Sequence, residues 1–167
     1  YAKIIAKDNF LNTKIVLKKN YYLDLMAKLS KKNAPSKEGT LLYLTEPIRD
    51  KWEKNIEGEF QALNYFFDNI EKLKLPHKYT LVVRIHPSEK ISKYNKWFKD
   101  KGLNYIVDTD NDISTSIGKA SWVVGCQTYA MVIAIEAGKK VYSSLPPWAP
   151  KCSLPHKEIV HLRNFSS

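Results

Sequence analysis

The sequence predicts an α/β fold in which an open, mainly parallel sheet of about five or six strands carries helices on both faces. From Leu41 onward, short β-branched and aromatic runs alternate with longer segments of helical periodicity. The 167 residues are 44% apolar, which is enough to bury one sizeable core. Successive strand–helix alternations leave few other layouts, so we expect a doubly covered parallel sheet.

The first half of the predicted domain contains two strands and two helices. Pro47 ends the first strand, and a run of β-branched and aromatic residues predicts a buried second strand that ends at His86. Between them, apolar residues recur at three- and four-residue steps, as one helix face requires. The predicted elements are the strand Leu41–Leu44, the helix Trp52–Leu73 with Ile56, Phe60, Leu63, Phe67 and Ile70 on its apolar face, the strand Tyr79–Ile85 and the helix Ile91–Lys101.

The second half continues the alternation, and glycines mark the helix ends. Gly102 and Gly138 each follow a helical segment, where a left-handed residue commonly terminates a helix. The polar loop Asp108–Asp112 can cap the helix after it, and Pro146–Pro150 must be irregular. The predicted elements are the strand Asn104–Val107, the helix Ile113–Ala120, the strand Ser121–Val124, the helix Thr128–Ala137, the strand Lys140–Tyr142 and a short last strand within Glu158–Leu162.

Residues 1–37 differ from the rest and predict the tail of a preceding domain with a linker. Ile15–Leu17 fits a strand and Tyr21–Leu29 a helix, whereas Ser30–Gly39 is polar and lysine-rich. The predicted domain therefore spans residues 38–167. The chain begins at Tyr1 without a methionine, which suggests an excised piece or a processed chain.

The charge and the cysteines restrict the class of protein. The net charge of +10 favours anionic partners such as nucleotides, acidic glycans, phospholipid head groups or nucleic acid, but it also fits a merely solvated surface. No nucleic-acid-binding motif is present, so we expect no nucleic-acid partner. Cys126 and Cys152 have no neighbours at metal-ligand spacing, so we expect neither a metal site nor a disulfide framework. No apolar run approaches the roughly 18 residues that a membrane-spanning helix needs.

Polar and charged residues cluster where the predicted strands end. In open parallel sheets, ligands bind beyond the carboxyl ends of the strands, because loops and helix N-termini present free N–H groups there. The predicted strand ends carry Thr45–Pro47, Arg84, His86–Pro87, Asp108–Asp112 and Gly125–Thr128. This edge of the sheet is therefore the predicted ligand site.

Each of these residues has a functional and a structural interpretation. The segment Gly125–Thr128 can hold a phosphate through N–H groups and a hydroxyl, or it can simply be a glycine turn with a helix cap. His86 can donate a hydrogen bond or a proton to a phosphate oxygen, with Pro87 fixing its loop, or it can be a polar strand terminus. Arg84 lies on the same strand face as His86 and can support a diphosphate or pair with a structural carboxylate.

Three stretches together resemble the donor domains of bacterial sialyltransferases and related capsule or lipopolysaccharide glycosyltransferases. They are Arg84–Pro87, Val123–Ala130 and Gly138–Tyr142. The resemblance covers residues 38–145 and implies the C-terminal, Rossmann-like half of a two-domain GT-B fold. It also implies an inverting enzyme that uses a CMP-activated acidic sugar, of the sialic acid or Kdo kind, with no metal or other cofactor.

The resemblance also implies roles for individual residues. His86 and Pro87 would bind the nucleotide phosphate, with His86 catalytic, and Asp112 would contact the ribose. Gln127 and Thr128 stand where the family has paired hydroxyl residues, with Gly125 and Cys126 before them, so the second phosphate contact would depend on one hydroxyl and backbone N–H groups. The general base would come from an N-terminal domain, so this chain alone is expected to be inactive. Glu46 and Glu136 are the remaining carboxylates of interest, with structural or surface roles favoured.

Other interpretations stay open at this point. Glycerophosphotransferases that use CDP-glycerol share the Arg-x-His-Pro stretch, UDP-sugar 2-epimerases share the architecture, and a non-catalytic nucleotide-binding domain can use the same fold. For the glycosyltransferase, the expected partners are a nucleotide sugar and a glycan or glycolipid acceptor bound through the N-terminal domain. The expected location is the cytoplasm, at the inner face of the bacterial inner membrane, where peripheral association is compatible with the basic charge.

Overall fold

A computed structural model describes residues 16, 18–52 and 54–165, which contain a six-stranded sheet. Every strand pair in this sheet is parallel. The strands are β1 (Thr40–Leu44), β2 (Thr80–Arg84), β3 (Ile106–Val107), β4 (Trp122–Gly125), β5 (Lys140–Ser143) and β6 (Ile159–His161). The predicted open, parallel sheet is thereby confirmed.

The strand order is β3-β2-β1-β4-β5-β6, which is that of a doubly wound Rossmann-like sheet. From β1 the chain moves outward through β2 to β3, then returns past β1 and continues outward in the opposite direction from β4. The direction therefore reverses between β1 and β4. In such sheets this switch point opens a crevice at the carboxyl ends of the strands.

Helices cover both faces of the sheet. They are α1 (Tyr21–Ser30), α2 (Gly58–Asp68), α3 (Ile91–Asp100), α4 (Ile113–Lys119) and α5 (Tyr129–Glu136). Leu41 and Tyr43 of β1 pack in a core cluster with residues of α2 and α3, whereas Leu42 and Leu44 pack in a second cluster with residues of α4 and α5. Because side chains alternate along a strand, β1 contributes to both cores and is buried on both sides.

The predicted helix Trp52–Leu73 is wrong at its start. The helix begins at Gly58, and a 3₁₀ helix over Ile70–Leu73 follows it. The preceding segment folds back as a loop: Trp52 has a positive φ of 45°, and the N–H of Gly58 donates to the carbonyl of Asp50 at 2.8 Å. Ile56 lies in this loop and is 43% exposed, so it does not belong to the apolar helix face.

Other element bounds agree with the prediction to within a few residues. Gly102 and Gly138 take positive φ after α3 and α5, as expected for helix ends. Gly125, expected in a turn, is the last residue of β4 and pairs with Ser143. A second 3₁₀ helix, Leu162–Asn164, follows β6. The predicted strand Ile15–Leu17 lies outside the described residues except for Val16.

The helix predicted over Tyr21–Leu29 is confirmed as α1, and it packs on the domain that follows it. Leu23 and Met26 contact the core cluster beneath α4 and α5. A Cβ added at Gly118 of α4 would lie 2.5 Å from the carbonyl oxygen of Ser30, so the two helices approach very closely. The predicted domain boundary near residue 37 stays a prediction. Among the described residues, no helix is both long and apolar enough to cross a membrane.

Candidate functional site

A cleft of about 300 Å³ lies at the carboxyl edge of the sheet, above β1 and β2. It brings together four of the predicted site residues, which come from β2, the loop after it and the start of α5. The lining residues are Leu44, Thr45, Arg84, Ile85, His86, Pro87, Ile113, Thr128 and Ala130. The cleft is near the lower end of the size range of small-molecule sites, and its position beside the switch point is where such sheets bind ligands.

The imidazole of His86 has a defined orientation. The backbone N–H of Ser88 donates to His86 Nδ1 at 3.2 Å, and the Ser88 hydroxyl lies 2.8 Å from the same nitrogen. Because Nδ1 accepts the backbone N–H, the proton of the neutral ring resides on Nε2. Within the described part of the chain, Nε2 has no hydrogen-bond partner, so it is a donor available to a ligand in the cleft.

Thr45 ties the end of β1 to the loop that carries His86. The Thr45 N–H donates to the carbonyl of Arg84 at 3.0 Å, which extends the β1–β2 ladder by one bond. The N–H of His86 then donates to Thr45 Oγ1 at 2.9 Å. Thr45 is 5% exposed, so these bonds form in a dry environment and hold the His86 backbone in place.

Arg84 pairs with a structural carboxylate, the second of its two predicted interpretations. Its Nη1 donates to Asp108 Oδ2 at 2.8 Å, to the Ser116 hydroxyl at 2.8 Å and to the carbonyl of Asp110 at 3.0 Å. Burial raises the pKa of Asp108, but hydrogen bonds from Ser116 and Arg84 outweigh it and leave that pKa below its ordinary value. All three bonds use Nη1, and Arg84 still lines the cleft.

Thr128 places a hydroxyl in the same cleft. It is the N-cap of α5, and its Oγ1 accepts the N–H of Ala130 at a long 3.5 Å. A bond of that length is weak, so the hydroxyl keeps its capacity to bind a ligand oxygen. Thr128 and His86 are 42 positions apart in sequence and meet only because β2 and the β4–α5 turn end at the same sheet edge.

The N–H groups of the β4–α5 turn are bound by Glu46, the residue after Thr45. Glu46 Oε1 accepts the N–H of Cys126 at 2.7 Å and that of Gln127 at 2.9 Å, and Oε2 lies 3.2 Å from the latter nitrogen. Burial raises the pKa of Glu46, and the hydrogen bonds from the turn oppose part of this rise. The backbone N–H groups of this turn, which the sequence suggests as phosphate donors, therefore bind a carboxylate of the same chain.

The three residues before Thr128 do not line the cleft. The carbonyl of Gly125 accepts the N–H of Ser144 at 2.9 Å, and that of Cys126 accepts the Ser143 hydroxyl at 2.8 Å. The Cys126 thiol is 3% exposed, and burial raises its pKa, so it stays protonated. The Gln127 side chain turns outward, where its Oε1 accepts bonds from Ser153. Cys126 and Cys152 are both free thiols.

Asp112 caps α4 next to the cleft. Its carboxylate accepts bonds from the Ser114 hydroxyl and from the N–H and hydroxyl of Thr115, both at 2.8 Å. These bonds, with that of Ser114 the largest contribution, lower the pKa of Asp112 to about 2. The neighbouring Ile113 lines the cleft, whereas Asp112 does not. The ribose contact predicted for Asp112 stays a prediction.

Several residues that shape the site do not stand out in the sequence. Ser88 is one of them, although a hydroxyl residue two positions after a histidine can bond back to it. Thr45 and Asp108 stand out in the sequence only as residues at strand ends. The structural role favoured for Glu46 agrees with its bonds to Cys126 and Gln127, but the sequence does not indicate these partners. Glu136, the other carboxylate considered, is an exposed residue at the end of α5. Among the described residues, no three His, Cys, Asp or Glu side chains are grouped so that they could hold a metal ion.

The comparisons with known proteins give structural resemblances only. No protein-family model and no curated protein matches the sequence. KpsC of Thermosulfurimonas dismutans, a beta-Kdo 2,4 transferase, has a TM-score of 0.45 and 10% identity over 76% of this chain and 46% of its own. The wall teichoic acid polymerase TagF has a TM-score of 0.36 and 17% identity over 74% of this chain and 28% of its own. A TagF variant has a TM-score of 0.38, 14% identity and coverages of 73% and 28%.

This chain thus spans less than half the length of each of these structures. The fold class follows from the strand order and the parallel pairing, independently of the resemblances.

Proposed function

We propose that this chain is the donor-binding part of a glycosyltransferase and that its donor is a CMP-activated acidic sugar of the sialic acid or Kdo kind. The observation that carries the proposal is that His86, whose Nε2–H is free of other partners in the described residues, and Thr128, which has a hydroxyl, line one cleft beside the switch point. Two hydrogen-bond donors there suit a phosphate oxygen. The motif resemblance of Arg84–Pro87 and Val123–Ala130 supports the choice of cytidine.

In the proposed reaction, an acceptor hydroxyl attacks the anomeric carbon from the face opposite the phosphate. A carbon–oxygen bond forms with the acceptor, the bond to the phosphate oxygen breaks, and CMP departs with the electron pair. His86 and Thr128 stabilise the negative charge that develops on the departing phosphate. The proton of the acceptor hydroxyl goes to a base in a domain outside this chain, which also binds the glycan or glycolipid acceptor.

Arg84 contributes long-range positive charge in this proposal. Its guanidinium is neutralised in part by Asp108, but Arg84 also lines the cleft. With His86, it would stabilise the phosphate without a metal ion. Chelation with EDTA is therefore expected to leave nucleotide affinity unchanged.

Isothermal titration calorimetry with nucleoside monophosphates tests the proposal. CMP is expected to bind more tightly than UMP or GMP, and more tightly than cytidine, because both the base and the phosphate would be recognised. Binding of UMP with equal or greater affinity would favour a UDP-sugar enzyme instead. If the folded chain binds none of these nucleotides, the cleft is not a nucleotide site.

A further inference from the structure

The carboxylate of Glu46 accepts hydrogen bonds from two N–H groups of the turn before α5, next to the proposed donor cleft. We propose that Glu46 is a specificity-determining residue that makes the cleft select a nucleotide ligand with one phosphate over one with two. This inference rests on the proposed function, because it concerns the same nucleotide site. It adds the residue that restricts the site to a ligand with one phosphate.

The first step concerns the hydrogen-bond donors. Backbone N–H groups at a strand–turn–helix junction are the usual binding groups for the phosphates of dinucleotides and nucleoside diphosphates. Here the N–H groups of Cys126 and Gln127 point at Glu46 at 2.7 and 2.9 Å. A second phosphate would therefore find these donors already engaged in short, charge-assisted bonds.

The second step concerns charge. Thr45 and Thr128 both line the cleft. Thr45 directly precedes Glu46 in the chain and Thr128 directly follows Gln127, and Glu46 and Gln127 are hydrogen-bonded to each other. A phosphate bound by His86 and Thr128 thus lies on one side of this contact. A second phosphate that extended toward the turn would approach the Glu46 carboxylate, and two like charges in a partly desolvated site repel each other.

The third step is that Glu46 has little room to leave. Its Oε1 accepts two N–H bonds, and it lies 3.4 Å from the position that a Cβ would take at Gly125. The turn is held from the other side by Ser143 and Ser144, whose hydroxyls donate to the carbonyls of Cys126 and Gly125. Turn and carboxylate therefore form one rigid unit, and the negative charge is a fixed feature of the site.

Calorimetry with CMP and CDP on the unmodified chain, Glu46→Gln and Glu136→Gln tests the proposal. The unmodified chain should bind CMP more tightly than CDP. Glu46→Gln keeps a carbonyl acceptor for the turn but removes the charge, so it should raise the affinity for CDP relative to CMP by on the order of tenfold. Glu136→Gln removes an exposed carboxylate at the end of α5, away from the turn that Glu46 binds, and should leave the ratio unchanged.

A measurement without a variant complements this series. Inorganic phosphate should displace CMP from the unmodified chain at lower concentration than pyrophosphate does. A CMP-to-CDP ratio that Glu46→Gln leaves unchanged, or pyrophosphate that competes as well as phosphate, overturns the role of Glu46 while leaving nucleotide binding intact. Absence of binding of both nucleotides to the folded, unmodified chain instead removes the proposed function, and this inference with it.

Discussion

At the scale of single residues, the site depends on short-range contacts that orient one donor group. Ser88 fixes the His86 ring through Nδ1, and Thr45 fixes its backbone. A ring held at Nδ1 presents Nε2–H in one direction. Less side-chain conformational entropy is therefore lost when a phosphate binds. In many histidines, a hydrogen bond at one ring nitrogen decides which nitrogen carries the proton, and the bond at His86 Nδ1 has this effect.

His86→Ala is expected to weaken CMP binding by about 1.5–3 kcal/mol, or roughly tenfold to a hundredfold, because a hydrogen bond to a charged group is lost. Cytidine lacks the phosphate, so its affinity should change little. Thr128→Val removes the hydroxyl while keeping the side-chain shape, and it should show the same selectivity with a smaller loss. Calorimetry with CMP and cytidine measures both effects.

Circular dichroism provides the control for these two variants. If both stay folded and bind CMP and cytidine with unchanged affinity, the two motifs have structural roles and the donor-site assignment fails. A loss of equal size for CMP and cytidine would instead show that the substitutions disturb the cleft as a whole.

Which site residues can be predicted from sequence depends on the range of their contacts. His86 and Thr128 stand at strand ends in recognisable short motifs, so the expectation that they share a sheet edge needed only the strand–helix alternation. The Glu46–Cys126 contact joins residues 80 positions apart. No local pattern distinguishes a carboxylate that binds distant amides from one that faces solvent, which is why its structural environment was not foreseen.

At the scale of single elements, helical periodicity located most helices but not the start of α2. Ile56 has the spacing of the apolar face, yet the loop before Gly58 is held by contacts of its own. A Cβ at Gly58 would lie 2.6 Å from Ile48 Cγ2, so this residue is constrained by tertiary packing that periodicity does not encode. Capping residues are better guides, since Asp112 and Thr128 are the N-caps of α4 and α5.

Asp112→Ala is expected to lower the free energy of unfolding by about 1 kcal/mol, because α4 loses its N-cap. Asp112→Asn retains a capping side chain and should cost less. The carboxylate has a pKa lowered to about 2, so its contribution is present above the ordinary pKa of an aspartate and is lost as the pH falls through about 2. Urea denaturation at neutral and acidic pH measures this.

The same variants test the ribose contact. If Asp112→Asn binds CMP like the unmodified chain, the residue acts as a cap only. A cap role would be contradicted if Asp112→Ala left the stability unchanged at neutral pH.

Gly118→Ala is expected to destabilise the chain, although an alanine normally favours a helix interior by about 1 kcal/mol. The added Cβ would lie 2.5 Å from the Ser30 carbonyl oxygen and 2.7 Å from Asn33 Cβ, so α1 and α4 would have to separate. Such overpacking typically costs about 1–3 kcal/mol. Chemical denaturation should show the loss, while Ser92→Ala, at an exposed position of α3, should show none.

At the scale of the whole molecule, the parallel sheet was predictable and the strand order was not. Alternating strands and helices imply parallel neighbours and right-handed crossovers. However, β1 and β4 are both nearly continuous apolar runs, and such runs carry no signal about which strand lies beside which. The reversal that brings β4 next to β1, and with it the Glu46 contact, emerges only from packing of the complete sheet.

The position of α1 leads to a prediction about the extent of the domain. Its apolar side packs on the core beneath α4 and α5, the Asn20 amide donates to the Tyr129 hydroxyl at 2.9 Å, and the Tyr22 ring stacks on that of Tyr129. A chain of residues 38–167 would expose this surface next to Thr128. It should unfold at a lower urea concentration than a chain of residues 18–167, with a loss of at least about 2 kcal/mol, as expected when several buried apolar side chains are removed. Equal midpoints for the two chains would show that α1 belongs to the preceding domain, as the sequence alone predicts.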